Sequence, residues 1–156
     1  MRSDYSSINW EIKSFEALTN KELYSILQLR AEVFIVEQNC PYQDMDGKDS
    51  FSFHLLGSDE NGKLIAYARI LPADISFREV SIGRVVSSPS VRRTGAGMEL
   101  MEMALQVAET KYGKVPVRIG AQLYLKKFYE RFGFTQVSEM YLEDGIEHVE
   151  MLRDAT

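Results

Sequence analysis

The stretch Val85-Val86-Ser87-Ser88-Pro89-Ser90-Val91-Arg92-Arg93-Thr94-Gly95-Ala96-Gly97-Met98 runs from an apolar segment through a basic, glycine-containing turn into a helical pattern. At the head of a helix the first amides have no intrahelical acceptor. The aligned peptide dipoles add partial positive charge there, so an anion is favoured. Gly95 and Gly97 leave the backbone bare enough for a diphosphate to approach, and Arg92 and Arg93 can add charge-assisted hydrogen bonds. The plainer alternative is a tight turn flanked by solvated arginines. A P-loop is excluded, because Gly97 is followed by Met98 and Glu99 rather than by Lys and Ser or Thr. A dinucleotide fingerprint is excluded as well, because Leu100 stands where a third small residue is needed.

Other residues suit proton or charge chemistry. Glu37 ends an apolar run at the edge of a polar segment, where burial would raise its pKa towards that of a base. His54 and His148 can exchange protons near neutral pH. Arg69 and Arg84 fall within apolar runs, and a buried guanidinium demands partners. Those partners are Glu37, Asp44 or Asp46, or else a substrate carboxylate, with the ion pair the preferred reading. Metal chemistry is disfavoured by one cysteine and two distant histidines. Asp44-x-Asp46-Gly47-x-Asp49 fails as a calcium loop, since Asp49 and Leu55 stand where Gly and Glu are required.

The elements that must position these residues follow from periodicity. Ile8, Trp10 and Ile12 alternate as in a half-buried strand. Thr19-Asn20-Lys21-Glu22 is a capping box opening a helix with Leu23, Ile26, Leu27, Arg30 and Phe34 on one stripe. Residues 37–50 form a loop, and 51–56 and 64–71 are strands joined at Asn61-Gly62. A strand over 80–86, a helix over 97–112 and a strand over 115–119 follow. A third helix starts near Gln122 and ends at Gly133, before strands over 135–141 and 146–152. The order β-α-β-β-β-α-β-α-β-β implies one α/β domain over 1–156, with a mixed, mostly antiparallel sheet flanked by helices.

Composition narrows the class. With 45% apolar residues the chain has the means for a core. A net charge of −5 argues against a nucleic-acid partner. The single cysteine suits a reducing compartment. Met1 to Tyr5 carry no apolar stretch of the kind a secretory signal needs, and no membrane-length apolar run occurs, so a cytoplasmic protein is expected.

Arg92, Gly95 and Gly97 occupy the three fixed positions of Gln/Arg-x-x-Gly-x-Gly/Ala, and Phe128-Tyr129-Glu130-Arg131-Phe132-Gly133-Phe134 fits Phe-Tyr-x-x-x-Gly-Phe. In both respects the chain resembles the GNAT family of N-acetyltransferases. Leu29 to Tyr42, Asp46-Gly47, Ala66 to Arg69, Ile82 to Val85 and Glu143 to Ile146 are similar to its ElaA-like subgroup. The resemblance implies a splayed sheet that holds acetyl-coenzyme A and passes its acetyl group to an amine acceptor, with no metal. It implies cofactor contacts from Val85, Val86 and Ser87 of a bulged strand, from Arg92 to Met98 (Arg93, Thr94 and Ala96 included), and from Gln122 and Phe128. Gln122 and Leu125 depart from the family's Asn and Ala. Tyr129 would be the acid that protonates the coenzyme A sulfur. The base is Glu37, His54 or His148, or water with no dedicated base, with Arg69, Arg84 and His54 around the acceptor. Arg30, Val33 and Phe34 also resemble acyl-homoserine-lactone synthases. That leaves such a synthase, or a non-catalytic acyl-coenzyme A sensor, as the alternatives. The terminal strand pair could extend a sheet between subunits, so a homodimer stays open.

Overall fold

A computed structural model describes residues 7–155, so Met1 to Tyr5, where no secretion signal was read, lie outside the described residues. Eight strands form one sheet: β1 (Asn9–Ser14), β2 (Phe53–Ser58), β3 (Leu64–Leu71), β4 (Val80–Ser87), β5 (Val117–Gln122), β6 (Phe134–Gln136), β7 (Tyr141–Glu143) and β8 (Ile146–Arg153). Their spatial order is β1-β2-β3-β4-β5-β8-β6, with β7 also on β8, and only β4 and β5 are parallel. Three helices flank it, α1 (Asn20–Arg30), α2 (Ala96–Tyr112) and the short α3 (Lys126–Glu130). None of the described helices is long and apolar enough to cross a membrane.

Strand alternation divides the sheet's two faces. Ala66, Ala68 and Ile70 of β3 pack with Leu100, Met101 and Ala104 of α2 and with Tyr129 of α3. Tyr67, between them, points the other way and packs with Ile26 and Leu29 of α1. The predicted capping box forms, with Glu22 N–H donating to Thr19 Oγ1 at 3.1 Å and Thr19 N–H donating to Glu22 Oε1 at 2.8 Å. After Arg30 the chain winds on more widely, in π turns over Ala31–Glu37. Gln38 N–H donates to Val33 O and Cys40 N–H to Ile35 O, each five residues back.

The strand expected over 135–141 is two pieces instead. Ser138 breaks it: its hydroxyl accepts the Glu150 N–H at 2.8 Å, replacing a ladder bond with a side chain. The strand expected over 115–119 is displaced to Val117–Gln122.

Trp10 fastens β1 across β2 to α2. Its indole N–H donates to Glu99 Oε2 at 2.7 Å, and its ring lies flat on Gly57 of β2. A Cβ at Gly57 would sit 2.5 Å from Trp10 Cζ3, so the glycine is there for ring clearance. Gly57→Ala must therefore displace the ring, at a cost of about 1–3 kcal/mol in urea unfolding. Trp10 is the only tryptophan, so a shifted intrinsic emission checks the cause.

Candidate active site

β4 and β5 are bonded only at their roots, through Val80↔Val117 and Ser81↔Arg118. Arg118 staples that root, donating to Glu79 at 2.9 and 3.1 Å and to Glu150 at 2.9 Å. Beyond Ser81 the strands diverge. The cause lies in β4, where Tyr67 pairs with Val86 but Arg69 pairs with Gly83, so Arg84 and Val85 together face Ala68. Such a bulge bends its strand and leaves backbone groups off the ladder. Arg84 takes φ +51°, a left-handed conformation that costs a non-glycine residue about 1–2 kcal/mol. The result is an open slit through the middle of the sheet, part of a cleft of about 1210 Å³.

One end of this cleft meets the head of α2. Gly95 is the N-cap at φ +92°, and the first intrahelical bond is Glu99 N–H to Gly95 O at 3.1 Å. The amides of Gly97 and Met98 precede it, and nothing lies within 4 Å of a Cβ built on Gly95 or Gly97. The Ala96 amide is partly occupied, donating to Thr94 Oγ1 at 3.3 Å. Arg92 and Gly97 border the cleft, while Arg93, at φ +64°, is exposed. Arg92 is not solvated alone: both of its Nη groups donate to the Glu37 carboxylate.

That pairing corrects the reading of Glu37. Its carboxyl is exposed, and the Arg92 hydrogen bonds lower its pKa, where burial was expected to raise it.

Tyr129 sits where the slit opens on the helical face, packed edge-on against Phe128 at 5.1 Å and Phe134 at 6.1 Å between ring centres. Its hydroxyl makes no hydrogen bond to any described residue, and it lines the cleft beside Phe128. Burial pushes the phenol up to about 12, so it holds its proton throughout the neutral range. Gln122, at the end of β5, reaches Gln38 at 3.5 Å across the slit.

The opposite face is built on charge. Arg30, fully buried, donates to Asp44 Oδ2 and Asp49 Oδ1, both at 2.8 Å. Arg69 donates to Asp46 at 2.9 and 2.6 Å and to Asp49 at 3.0 Å. Arg84 donates to Asp44 Oδ1 at 2.7 Å and to Asp44 O at 2.8 Å. Burial works to raise the Asp46 and Asp49 pKa values, but the arginine hydrogen bonds and charges outweigh it and hold both carboxyls below their usual range. Arg69 and Arg84 thus have the ionic partners the sequence demanded, with Asp49 the partner it did not single out.

His54 is corrected too. It is fully buried behind this cluster, away from the cleft wall. Nε2 lies 2.9 Å from Asp49 O, which can only accept, so Nδ1 accepts from the Tyr67 hydroxyl at 2.7 Å. Burial lowers its pKa. It supports Asp49 and has no free nitrogen to offer a substrate.

His148 is placed otherwise. It lines the cleft on β8, paired in register with Gln122 and stacked on Tyr141. Nδ1 lies 2.8 Å from Ile146 O, to which it donates, and Nε2 lies 3.7 Å from Glu143 Oε2. Tyr141 and Phe77 converge over Gly120, whose added Cβ would meet them at 3.2 and 3.9 Å. Gly120 lies inside β5, where a bare position marks close approach, but the strand expected over 115–119 stopped short of it.

A sheet split between two parallel strands, with a bare helix head at one end of the split, defines the acyl-coenzyme A N-acyltransferase fold. The model of the Acetyltransferase (GNAT) domain matches residues 17–154. Protein ElaA of Escherichia coli is 45% identical over 149 residues, covering 94% of this chain and 97% of that one. Its crystal structure superposes with TM-score 0.88, over 94% and 99% of the two chains. That of an acyl-CoA N-acyltransferase from Pseudomonas aeruginosa gives 0.89 at 48% identity and the same coverage. A CoA-dependent acyl-homoserine lactone synthase, BjaI, is 16% identical with TM-score 0.76 over 96% of this chain and 84% of that one, a likeness of fold alone. The chain belongs to the GNAT family, acyltransferases that draw on acyl-coenzyme A, and within it to the ElaA-like subgroup.

The depressed carboxyl pKa values set a pH dependence. A carboxyl with a lowered folded-state pKa stabilises fully above its unfolded value, about 3.9, and loses that contribution as pH falls through the folded value. The melting temperature should therefore drop steeply below about pH 4. Asp49→Ala removes one carboxylate partner from each of two buried guanidiniums, Arg30 and Arg69, and should cost about 3–5 kcal/mol at neutral pH in chemical denaturation.

Proposed function

We propose that the chain is an N-acetyltransferase that moves an acetyl group from acetyl-coenzyme A onto a primary amine by direct attack, without a covalent enzyme intermediate. The observation that carries this reading is the divergence of β4 from β5 beside the uncovered head of α2. Free strand edges suit the two amides of a pantetheine arm, which can pair as an added strand would. Val85, Val86 and Ser87 supply that edge, and the Gly97 and Met98 amides with Arg92 meet the diphosphate. Arg92 must then leave Glu37, so Glu37 acts here as the diphosphate's competitor for Arg92 rather than as a base.

The protons balance as follows. The acceptor arrives as an ammonium ion with a pKa of about 10. His148 Nε2 takes one proton, and the freed amine attacks the thioester carbon. Backbone N–H of the bulged strand meets the oxyanion. As the C–S bond breaks, Tyr129 donates its proton to sulfur, and it recovers one from the nitrogen that has become an amide. His148 passes its proton to solvent.

A thiol-release assay with acetyl-coenzyme A and a panel of primary amines tests the reading. Turnover should depend on the amine, and Tyr129→Phe should lower kcat by about 10²–10⁴-fold. The melting temperature should hardly change, because the hydroxyl bonds to no described residue. Thermal stabilisation by coenzyme A without turnover would mark a sensor instead.

The role of His148 is read from a substitution that removes its basic nitrogen. His148→Gln should lower kcat by about 10²-fold or more, with KM for acetyl-coenzyme A retained. An unchanged kcat would remove His148 from the chemistry.

A further inference from the structure

Arg69 is 3% exposed, and its two Nη groups are taken by Asp46 and Asp49, yet its Nε–H has no partner among the described residues. Buried guanidinium N–H groups are normally satisfied, so this one calls for an explanation. Gly83, its cross-strand neighbour on β4, supplies one. Gly83 does not have positive φ, so its backbone conformation does not require glycine. What its bareness provides is space: a Cβ there would meet nothing nearer than Arg69 Nε, at 3.8 Å. Both residues border the cleft. An oxygen placed over Gly83 at about 2.9 Å from Nε would complete the guanidinium.

Charge decides what kind of oxygen. Arg30, Arg69 and Arg84 face three carboxylates, Asp44, Asp46 and Asp49, and these charges cancel. His54 is held neutral by burial. Lys48, on the same stretch of cleft wall, is left over, since its Nζ donates only to the neutral Ser76 hydroxyl at 3.1 Å. The cluster therefore presents one uncompensated positive charge beside an unsatisfied donor. A neutral carbonyl would satisfy the donor but leave that charge unpaired, whereas a carboxylate answers both.

We infer that the acceptor is a primary amine carrying a carboxylate, an amino acid in the broad sense. Its carboxylate lies over Gly83, accepts from Arg69 Nε and faces Lys48 Nζ, while its amine reaches towards the slit. This rests on the acetyltransferase reading for the amine but not for the carboxylate subsite, and the two separate experimentally.

The test uses matched probes: L-alanine, β-alanine and 5-aminopentanoate, each beside its own amide, which removes only the negative charge. With acetyl-coenzyme A saturating, kcat/KM for at least one acid should exceed that of its amide by ten-fold or more. Gly83→Ala places a methyl in the space the oxygen needs at an ordinary contact distance from Nε, so the protein should fold. KM for the preferred acid should rise at least ten-fold, and Lys48→Gln should raise it in the same direction. Equal use of acids and amides, or an unchanged acid KM in folded Gly83→Ala, would overturn the inference. Calorimetric titration of the same probes without acetyl-coenzyme A reads the subsite independently of turnover. Acid binding that Gly83→Ala abolishes, in a protein that acetylates none of the amines, would keep the subsite and reject the transferase. Turnover of amines with no preference for the acid would do the reverse.

Discussion

The structure depends on one constraint, that β4 must leave the sheet's regular ladder at Arg84. A left-handed arginine is unfavourable by about 1–2 kcal/mol. The bonds from its guanidinium to the Asp44 carboxylate and carbonyl, at 2.7 and 2.8 Å, are worth about 1.5–3 kcal/mol each when charge-assisted. The bonds win, so the bulge is held from outside the strand. Asp44 is itself fixed by Arg30 of α1, and Asp49 by Arg30, Arg69 and the His54 ring. The shape of the slit is thereby tied to the loop over residues 38–50 and to α1.

This arrangement costs desolvation of three guanidiniums, and apolar packing of equal volume could hold a loop as firmly. What packing alone does not supply is direction. Bidentate arginine contacts fix orientation as well as distance. Here they fix the strand bend and leave one N–H of Arg69 without a partner, beside the bare surface of Gly83. The same cluster that opens the slit also lines the pocket facing it, and the two cannot vary independently.

What was legible in the sequence was local. The capping box at Thr19, the Asn61-Gly62 hairpin, α2 with its glycine-bearing approach and the Gly133 stop each rest on residues a few positions apart. The physics of each is complete within that window. The wide turns after Arg30 were not legible, because Val33 and Phe34 continue the helical spacing from Arg30 and nothing local in Ala31 to Glu37 marks a change of winding. Nor was the break at Ser138, where one hydroxyl substitutes for a ladder bond. Motif spacing singled out Tyr129, Arg92 and Gly97, which border the cleft, while the partners of the arginines were not decided. Four carboxylates lay within reach in sequence, and the choice among them depends on a fold whose members are 14 to 55 residues apart.

Glu37 shows why residue type misleads when the partner is distant. An acid after an apolar run suggests burial and a raised pKa, but the helix carries Glu37 to the surface beside Arg92. An exposed pair of this kind contributes about 0–1 kcal/mol to stability, too little to explain it as a fastening. It occupies the one arginine of the loop that borders the cleft. On the proposed reading, a diphosphate, with more charge and the helix head behind it, would take Arg92 from a single carboxylate. Until then Arg92 is compensated, and the mouth of the cleft carries less free positive charge to hold other anions. The pair would thereby favour ligands that fill the amide cradle and the arginine together over those that offer charge alone.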